Sequence, residues 1–323
     1  MLALPIGMLA QGSSWQTATL INQGGSGSGS LDKNNSDDWF KIVVPEEGKV
    51  TISLTLSSDL SIKWLDYLWV KNNSDYSRTT KWYMKNGESL VVDDAGAGTY
   101  YLHIQRDGGA GSYSLNYQFS ACPYANDVEP NDENGQGTEI AVGQTIQGRI
   151  GYLDANDYRD NYDSYKITVP QDGRVQLIVN CEKTYNLQMK WLDVNRKQGE
   201  SYYSRATKWY MVDDTLTIDD AGVGTYYLRL NRDKGHGGYS LRYIFTPNNY
   251  ANDAEPNDEN GQGTEIAIGE TVQGHIGYLD ANDYRDNYDS YKINVPQDGR
   301  VQLIVNCEKT YDLQMKWLDV NRK

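Results

Sequence analysis

Cysteine, histidine and phenylalanine are scarce in this chain, at three of each among 323 residues. So few cysteines cannot form a disulfide scaffold, and domains of this size do not need one. Cys181 and Cys307 each close the run VQLIVN and read as small buried apolar residues, whereas Cys122 stands alone between repeats. His103, His236 and His275 fall at non-equivalent positions of the repeats described below, which excludes a histidine-based active site duplicated with the modules. They read as surface residues. No GxSxG elbow, HExxH helix or clustered His/Cys set occurs, and no pair of acids is singled out for glycosidase chemistry, so the expectation is a non-catalytic protein. Long apolar runs are also missing, and nothing approaches the ~18 residues of a membrane-spanning helix. The short run MLALPIGMLA at 1–10 ends in a small residue before QGSSWQ and reads as a signal-peptide remnant, which implies secretion. An excess of basic charge is absent too: the formal net charge is −14, which repels a phosphate backbone and excludes nucleic acid as a partner.

Repetition is what the sequence does have. Residues 124–197 and 250–323 align without a gap and differ at seven positions, among them Val128 against Ala254, Arg149 against His275 and Asn186 against Asp312. A divergent first copy matches DDWFKIVVPEEGKV to YDSYKITVPQDGRV, TTKWYM to ATKWYM and VDDAGAGTYYLHI to IDDAGVGTYYLRL. The boundaries are therefore 11–121 for repeat 1, 122–247 for repeat 2 and 248–323 for the first half of repeat 3. That half is expected to be completed by further chain or by strands of another molecule, since an open sheet edge invites pairing. In repeat 1 the stretch GGSGSGS replaces GQTIQGRIG, predicting a looser lead-in.

Apolar residues alternate at period two. Tyr165, Ile167 and Val169 share one face, as do Tyr226, Leu228 and Leu230, and Tyr239, Leu241, Tyr243 and Phe245. Turn-forming segments rich in Gly, Asp and Pro separate these runs. The pattern predicts an all-β protein of tandem jelly-roll-like β-sandwich modules with about eight strands each.

The acids are not evenly spread. In YANDVEPNDENGQG, Asp127, Glu129 and Asn131 are spaced two apart, Pro130 biases Glu129 toward an extended backbone, and Asp132 follows. A second cluster, Asp154, Asn156, Asp157, Asp160, Asn161 and Asp163, leads into DSYKITV. So many carboxylates are costly unless solvated or bridged, and Ca2+ takes about 6 to 8 oxygens. The spacing is neither that of an EF-hand nor that of a glycine-rich calcium repeat.

The order of DxEPND, an acidic loop entering DSYKITVPQDG, GTYYLRL and GGYSLRY resembles the bacterial pre-peptidase C-terminal domain, a family that includes the collagen-binding domains of secreted collagenases. The resemblance spans repeat 2, the half repeat and the later two thirds of repeat 1. It implies a β-sandwich with calcium held where the EPND segment meets the acidic loop. By resemblance the ligands are Asp127, Glu129, Asn131, Asp132, Asp160 and Asp163, and in repeat 3 Asp253, Glu255, Asn257, Asp258, Asp286 and Asp289. Repeat 1 keeps Asp37 and Asp38 but no EPND, and no comparable site is expected there.

Twenty-six tyrosines and eight tryptophans supply rings that can be half buried with a wet polar end. Candidate ligand-binding rings are Trp82 and Tyr83, their equivalents Trp209 and Tyr210, and Tyr101 and Tyr227, read as exposed in the GTYYL strand. Two functions follow. One is an adhesive or targeting array for an extracellular polymer, either a collagen-like protein or a polysaccharide; the other is a filament built from copies of itself.

Overall fold

The computed structural model describes residues 12–74, 76–133, 136–182, 185–193, 204–259, 262–307 and 312–319. The apolar run at 1–10 lies outside them. Strands form where the period-two pattern puts apolar side chains on one face and turn residues close each run. Repeat 1 contributes β1 Thr19–Ile21, β2 Ser26–Leu31, β3 Asp37–Val44, β4 Gly48–Leu56, β5 Leu60–Asp66, β6 Thr79–Met84, β7 Ser89–Ala95, β8 Gly98–Arg106 and β9 Gly111–Ala121, with a short helix α1 at Tyr67–Lys71. Repeat 2 contributes β10 Thr138–Ile140, β11 Thr145–Ile150, β12 Tyr162–Val169, β13 Gly173–Cys181, β14 Asn186–Leu192, β15 Ala206–Met211, β16 Asp213–Ala221, β17 Gly224–Lys234 and β18 Gly237–Pro247.

Repeats 1 and 2 are each a sandwich of one five-stranded and one four-stranded sheet. The orders are β1-β3-β8-β5-β6 over β2-β9-β4-β7 and, equivalently, β10-β12-β17-β14-β15 over β11-β18-β13-β16. The molecule is therefore all-β and built of tandem β-sandwich modules. Between the sheets of repeat 2 lie Tyr165, Ile167, Val169, Tyr226, Leu228, Leu230, Tyr239, Leu241 and Tyr243, with Phe245 partly buried against them. Trp191 stacks on Tyr226 at a centroid distance of 4.5 Å, and Trp64 meets Tyr100 at the same distance in repeat 1. Cys181 is buried as expected, whereas Cys307 is exposed.

Two local expectations change. GGSGSGS is not a loose lead-in: its second half is β2, paired antiparallel with β9 from Ser26 to Leu31. Glycine is required there because a Cβ on Gly27 would sit 2.8 Å from the ring of Phe40, which fills the space. In repeat 3 only β19 Thr264–Ile266 and β20 Tyr291–Ile293 form among the described residues. The following runs stay extended and exposed, with Ile304 at 75% and Trp317 at 59% of their free surface. Their counterparts β13 and β14 are held by β15 to β18, which have no equivalent within the 323 residues.

Candidate metal centre

The EPND segment is a loop, with a cis peptide between Glu129 and Pro130. It is pinned to β12 by the Ser164 amide, which donates to the Asn131 carbonyl at 3.0 Å. Asp127, Glu129 and Asp163 thereby offer carboxylate oxygens that all lie within 4.8 Å of one another, and Asp253, Glu255 and Asp289 do the same in repeat 3. Asn131 is buried; its Nδ2 donates to Asp127 Oδ2 at 2.6 Å. Tyr165 donates to the same oxygen at 2.5 Å, and Tyr239 donates to Asp163 Oδ2 at 2.5 Å.

Several oxygens of the cluster are left over. Among the described residues, Asp127 Oδ1, Asn131 Oδ1 and Asp163 Oδ1 are buried without a hydrogen-bond partner, as are Asp253 Oδ1, Asn257 Oδ1, Asp286 Oδ1 and Asp289 Oδ1. Leaving a buried polar atom unsatisfied costs about 1–3 kcal/mol, more if it is charged. Burial, then the neighbouring carboxylates, raises Glu129 to about 7 and Asp160 to about 8 and drives Asp163 well upward. Asp286 and Asp289 rise to about 7 for the same reasons. An all-oxygen set under mutual repulsion fits a hard divalent cation, which would satisfy the leftover oxygens and cancel the repulsion. Asp132 is not one of the three gathered carboxylates: it accepts a hydrogen bond from Tyr158 at 2.5 Å, and Asp258 accepts one from Tyr284.

Repeat 1 shows the alternative solution. Asp38 is the counterpart of Asp163, but Tyr113 donates to its Oδ2 at 2.6 Å and Asn35 to its Oδ1 at 3.3 Å. Phe40 stands in place of Tyr165. Neutral donors complete this carboxylate.

The acidic loop has a second task that the sequence did not reveal. Leu153 and Leu279 bridge, in parallel, to Ala95 and Ala221 of the preceding repeat. Gly96 donates to the Leu153 carbonyl at 2.8 Å and Gly222 to that of Leu279 at 2.9 Å. Ala155 lies in the core of repeat 1 and Ala281 in the core of repeat 2. Arg78 clamps the plug, donating to the carbonyls of Leu153 at 3.0 Å and Asp154 at 2.7 Å while its Nε and Nη2 hold Asp66. Arg205 repeats this with Leu279, Asp280 and Asp193. The sequence holds one clue: LDANDYRD occurs only in the two copies that follow another copy.

Beside each plug the preceding module's proline turn meets residue 149 or its equivalent. Arg149 pairs with Glu46 at 2.8 Å and Glu47 at 3.1 Å, and it donates to the carbonyls of Tyr124 and Cys122. At the next junction His275 takes that place, with Nδ1 3.2 Å from Asp172 and Nε2 2.5 Å from the Tyr250 carbonyl. It is 5% exposed, so it belongs to an interface and not, as expected, to the surface.

Of the aromatic candidates, Trp82, Tyr83, Trp209 and Tyr210 are well exposed. Tyr83 and Tyr210 adopt φ of 53° and 58°, a left-handed conformation uncommon for bulky residues, beside a register shift in the strand pairing. Tyr227 is half-buried. Tyr101 contradicts its reading as exposed: it is 6% exposed because Trp15 meets it edge-on at 5.8 Å and Leu65 and Val70 close around it.

No family model matches the chain. Among solved structures it is similar to the pre-peptidase C-terminal domain of a collagenase from Bacillus anthracis, at 17% identity over 36% of this chain and 99% of that one, with a TM-score of 0.26. It is similar to a fucolectin from striped bass serum at 10% identity over 69% and 86% of the two chains, TM-score 0.25. A putative secreted protein from Eubacterium rectale matches at 11% identity over 76% and 85%, TM-score 0.23. The fold assignment rests on the strand order and register of the molecule itself. No helix among the described residues is long and apolar enough to cross a membrane.

Proposed function

We propose that this chain is a secreted, non-catalytic array of β-sandwich modules whose junctions are stiffened by calcium and whose outer faces tether an extracellular polymer. The observation that carries it is the double use of one segment, the acidic loop and the start of β12. Residues 153–155 plug the preceding module, while Asp163, a few residues on, joins Asp127 and Glu129 in the oxygen cluster. A cation there would hold the EPND segment and the plug loop in one arrangement. The test is thermal unfolding of the full chain. The midpoint is expected to rise on going from excess chelator to excess calcium, since a ligand present at a hundred times its Kd and binding only the folded state adds about 2.7 kcal/mol per site. An unchanged midpoint removes calcium from the function.

A second reading, a filament subunit, is favoured by one specific observation. The junction is heterologous and occurs twice with the same roles filled by Arg78 and Arg205, and by Ala155 and Ala281; an interface of that kind propagates where its rotation does not close. It requires the chain to sediment above monomer mass at high concentration with calcium present. A monomer under those conditions leaves the tethering array alone.

A further inference from the structure

Residue 149 and its equivalent 275 are where the two junctions differ, and they differ together with the turn they meet. That turn reads Pro45-Glu46-Glu47 in repeat 1 and Pro170-Gln171-Asp172 in repeat 2, so two acids pair with Arg149 and one with His275. The backbone beside them is the same at both junctions: Cys122 donates to the Glu47 carbonyl at 2.9 Å and Asn248 to that of Asp172 at 3.0 Å. An arginine keeps its charge throughout the physiological range. A histidine does not.

Both ring nitrogens of the buried His275 point at oxygens that accept. Nδ1 meets one oxygen of the Asp172 carboxylate, whose other oxygen accepts from the Val223 amide at 3.1 Å, and Nε2 meets the Tyr250 carbonyl. Also beside the pair are the Tyr278 ring at a centroid distance of 5.7 Å, Asn252 Oδ1, which accepts from the His275 amide at 3.0 Å, and Glu255, a carboxylate within electrostatic reach of Asp172. A neutral imidazole has one N–H and an imidazolium has two. The neutral ring would set one buried nitrogen lone pair against an oxygen lone pair, so only the imidazolium satisfies both contacts.

We infer that the junction between repeats 2 and 3 is a proton-operated latch, closed in acid and slackening as the pH rises, whereas the Arg149 junction stays closed. It rests on the array reading, in which docked junctions set the stiffness of the chain, and not on calcium. Docking uses both N–H groups of the ring, so it is favoured while the ring is protonated and weakens as rising pH removes the second proton. The array is then stiff along its length in acid and hinged at one junction in alkali.

Amide hydrogen exchange of the full chain, in excess calcium at constant ionic strength from pH 5 to 8, reads local opening at Asn248 and at its equivalent Cys122 once each rate is corrected for that of an unprotected amide. Protection at Asn248 is expected to fall at least about fivefold across that range while protection at Cys122 holds. His275→Arg is expected to keep Asn248 protected at every pH, and His275→Gln to lower its protection at every pH. Each amide has an oxygen cluster in its own module, and the arginine variant separates the latch from their titration. A fall at Asn248 no larger than that at Cys122, or one that survives His275→Arg undiminished, overturns the inference; the first comparison needs no variant to fold. A working latch in a chain whose thermal midpoint ignores calcium removes calcium and leaves the latch, and a calcium-dependent midpoint with no pH dependence at Asn248 does the reverse.

Discussion

In chelator, the folded protein loses thermal stability as the pH rises from about 5 to 8, and excess calcium abolishes the loss. The carboxyls of Glu129, Asp160 and Asp163 titrate higher in the folded chain than in the unfolded one because they are partly or wholly desolvated and crowd one another. Between the unfolded value near 4 and the folded values, the native state holds protons that the unfolded state has released. Stability then falls with rising pH and is fully reduced only above the folded values. Glu129 is solvent-exposed and contributes little after screening, so the loss rests on Asp160 and Asp163. A bound cation favours the ionised carboxylates and reverses the dependence, because protons then compete with the metal. Midpoints from pH 5 to 8, with and without calcium, check this; parallel curves would mean the cluster holds no cation.

Arg78→Ala is expected to cost about 3 kcal/mol, on the order of 10 °C in the midpoint of repeat 1. The substitution strands Asp66, whose side chain is 0% exposed and held by Arg78 at 2.8 Å. It also removes two donors from the plug carbonyls. Burial already pushes the Asp66 carboxyl upward, so without the guanidinium it would take up a proton or drag water into the junction. Adding Asp66→Asn is expected to restore part of the stability but not the docking. Lysine at 78 keeps the charge but cannot hold Asp66 and the two carbonyls at once, so it should fall between. The readouts are chemical denaturation and the rate of proteolysis in the segment following β9. A variant as stable and as protected as the parent would show that the clamp contributes nothing.

The sandwich and the heart of the oxygen cluster are legible in the amino-acid sequence, for reasons that differ from residue to residue. Alternation at Tyr165, Ile167 and Val169 reveals a strand face because the pleat imposes it locally. The two acidic clusters are readable because carboxylates that crowd along a chain need an explanation, whereas the joining of Asp163 to Asp127 and Glu129 is implied only by the family resemblance. What escapes a sequence reading depends on contacts far apart along the chain. Arg78 looks like any surface arginine until Asp66, Leu153 and Asp154 surround it. Ala155 looks like a loop residue until it enters another module's interior. Tyr101 looks exposed because the residues that cover it, Trp15 and Val70, lie on the short helical turn Trp15–Thr17 and in helix α1. His275 looks like a surface residue because its partner Asp172 is in the neighbouring repeat.

Lending an alanine backwards gives the array a direction of failure. Repeat 1 borrows Ala155 from its successor and, among the described residues, lends nothing of the kind in return, and repeat 2 borrows Ala281 in the same sense. When a downstream module opens under load, its upstream neighbour is left with a gap in its interior and is the next to yield. When an upstream module opens, its successor keeps its own interior filled. Damage would thus spread toward the amino terminus and stop in the other direction, so the chain resists pulling differently according to which end tears first.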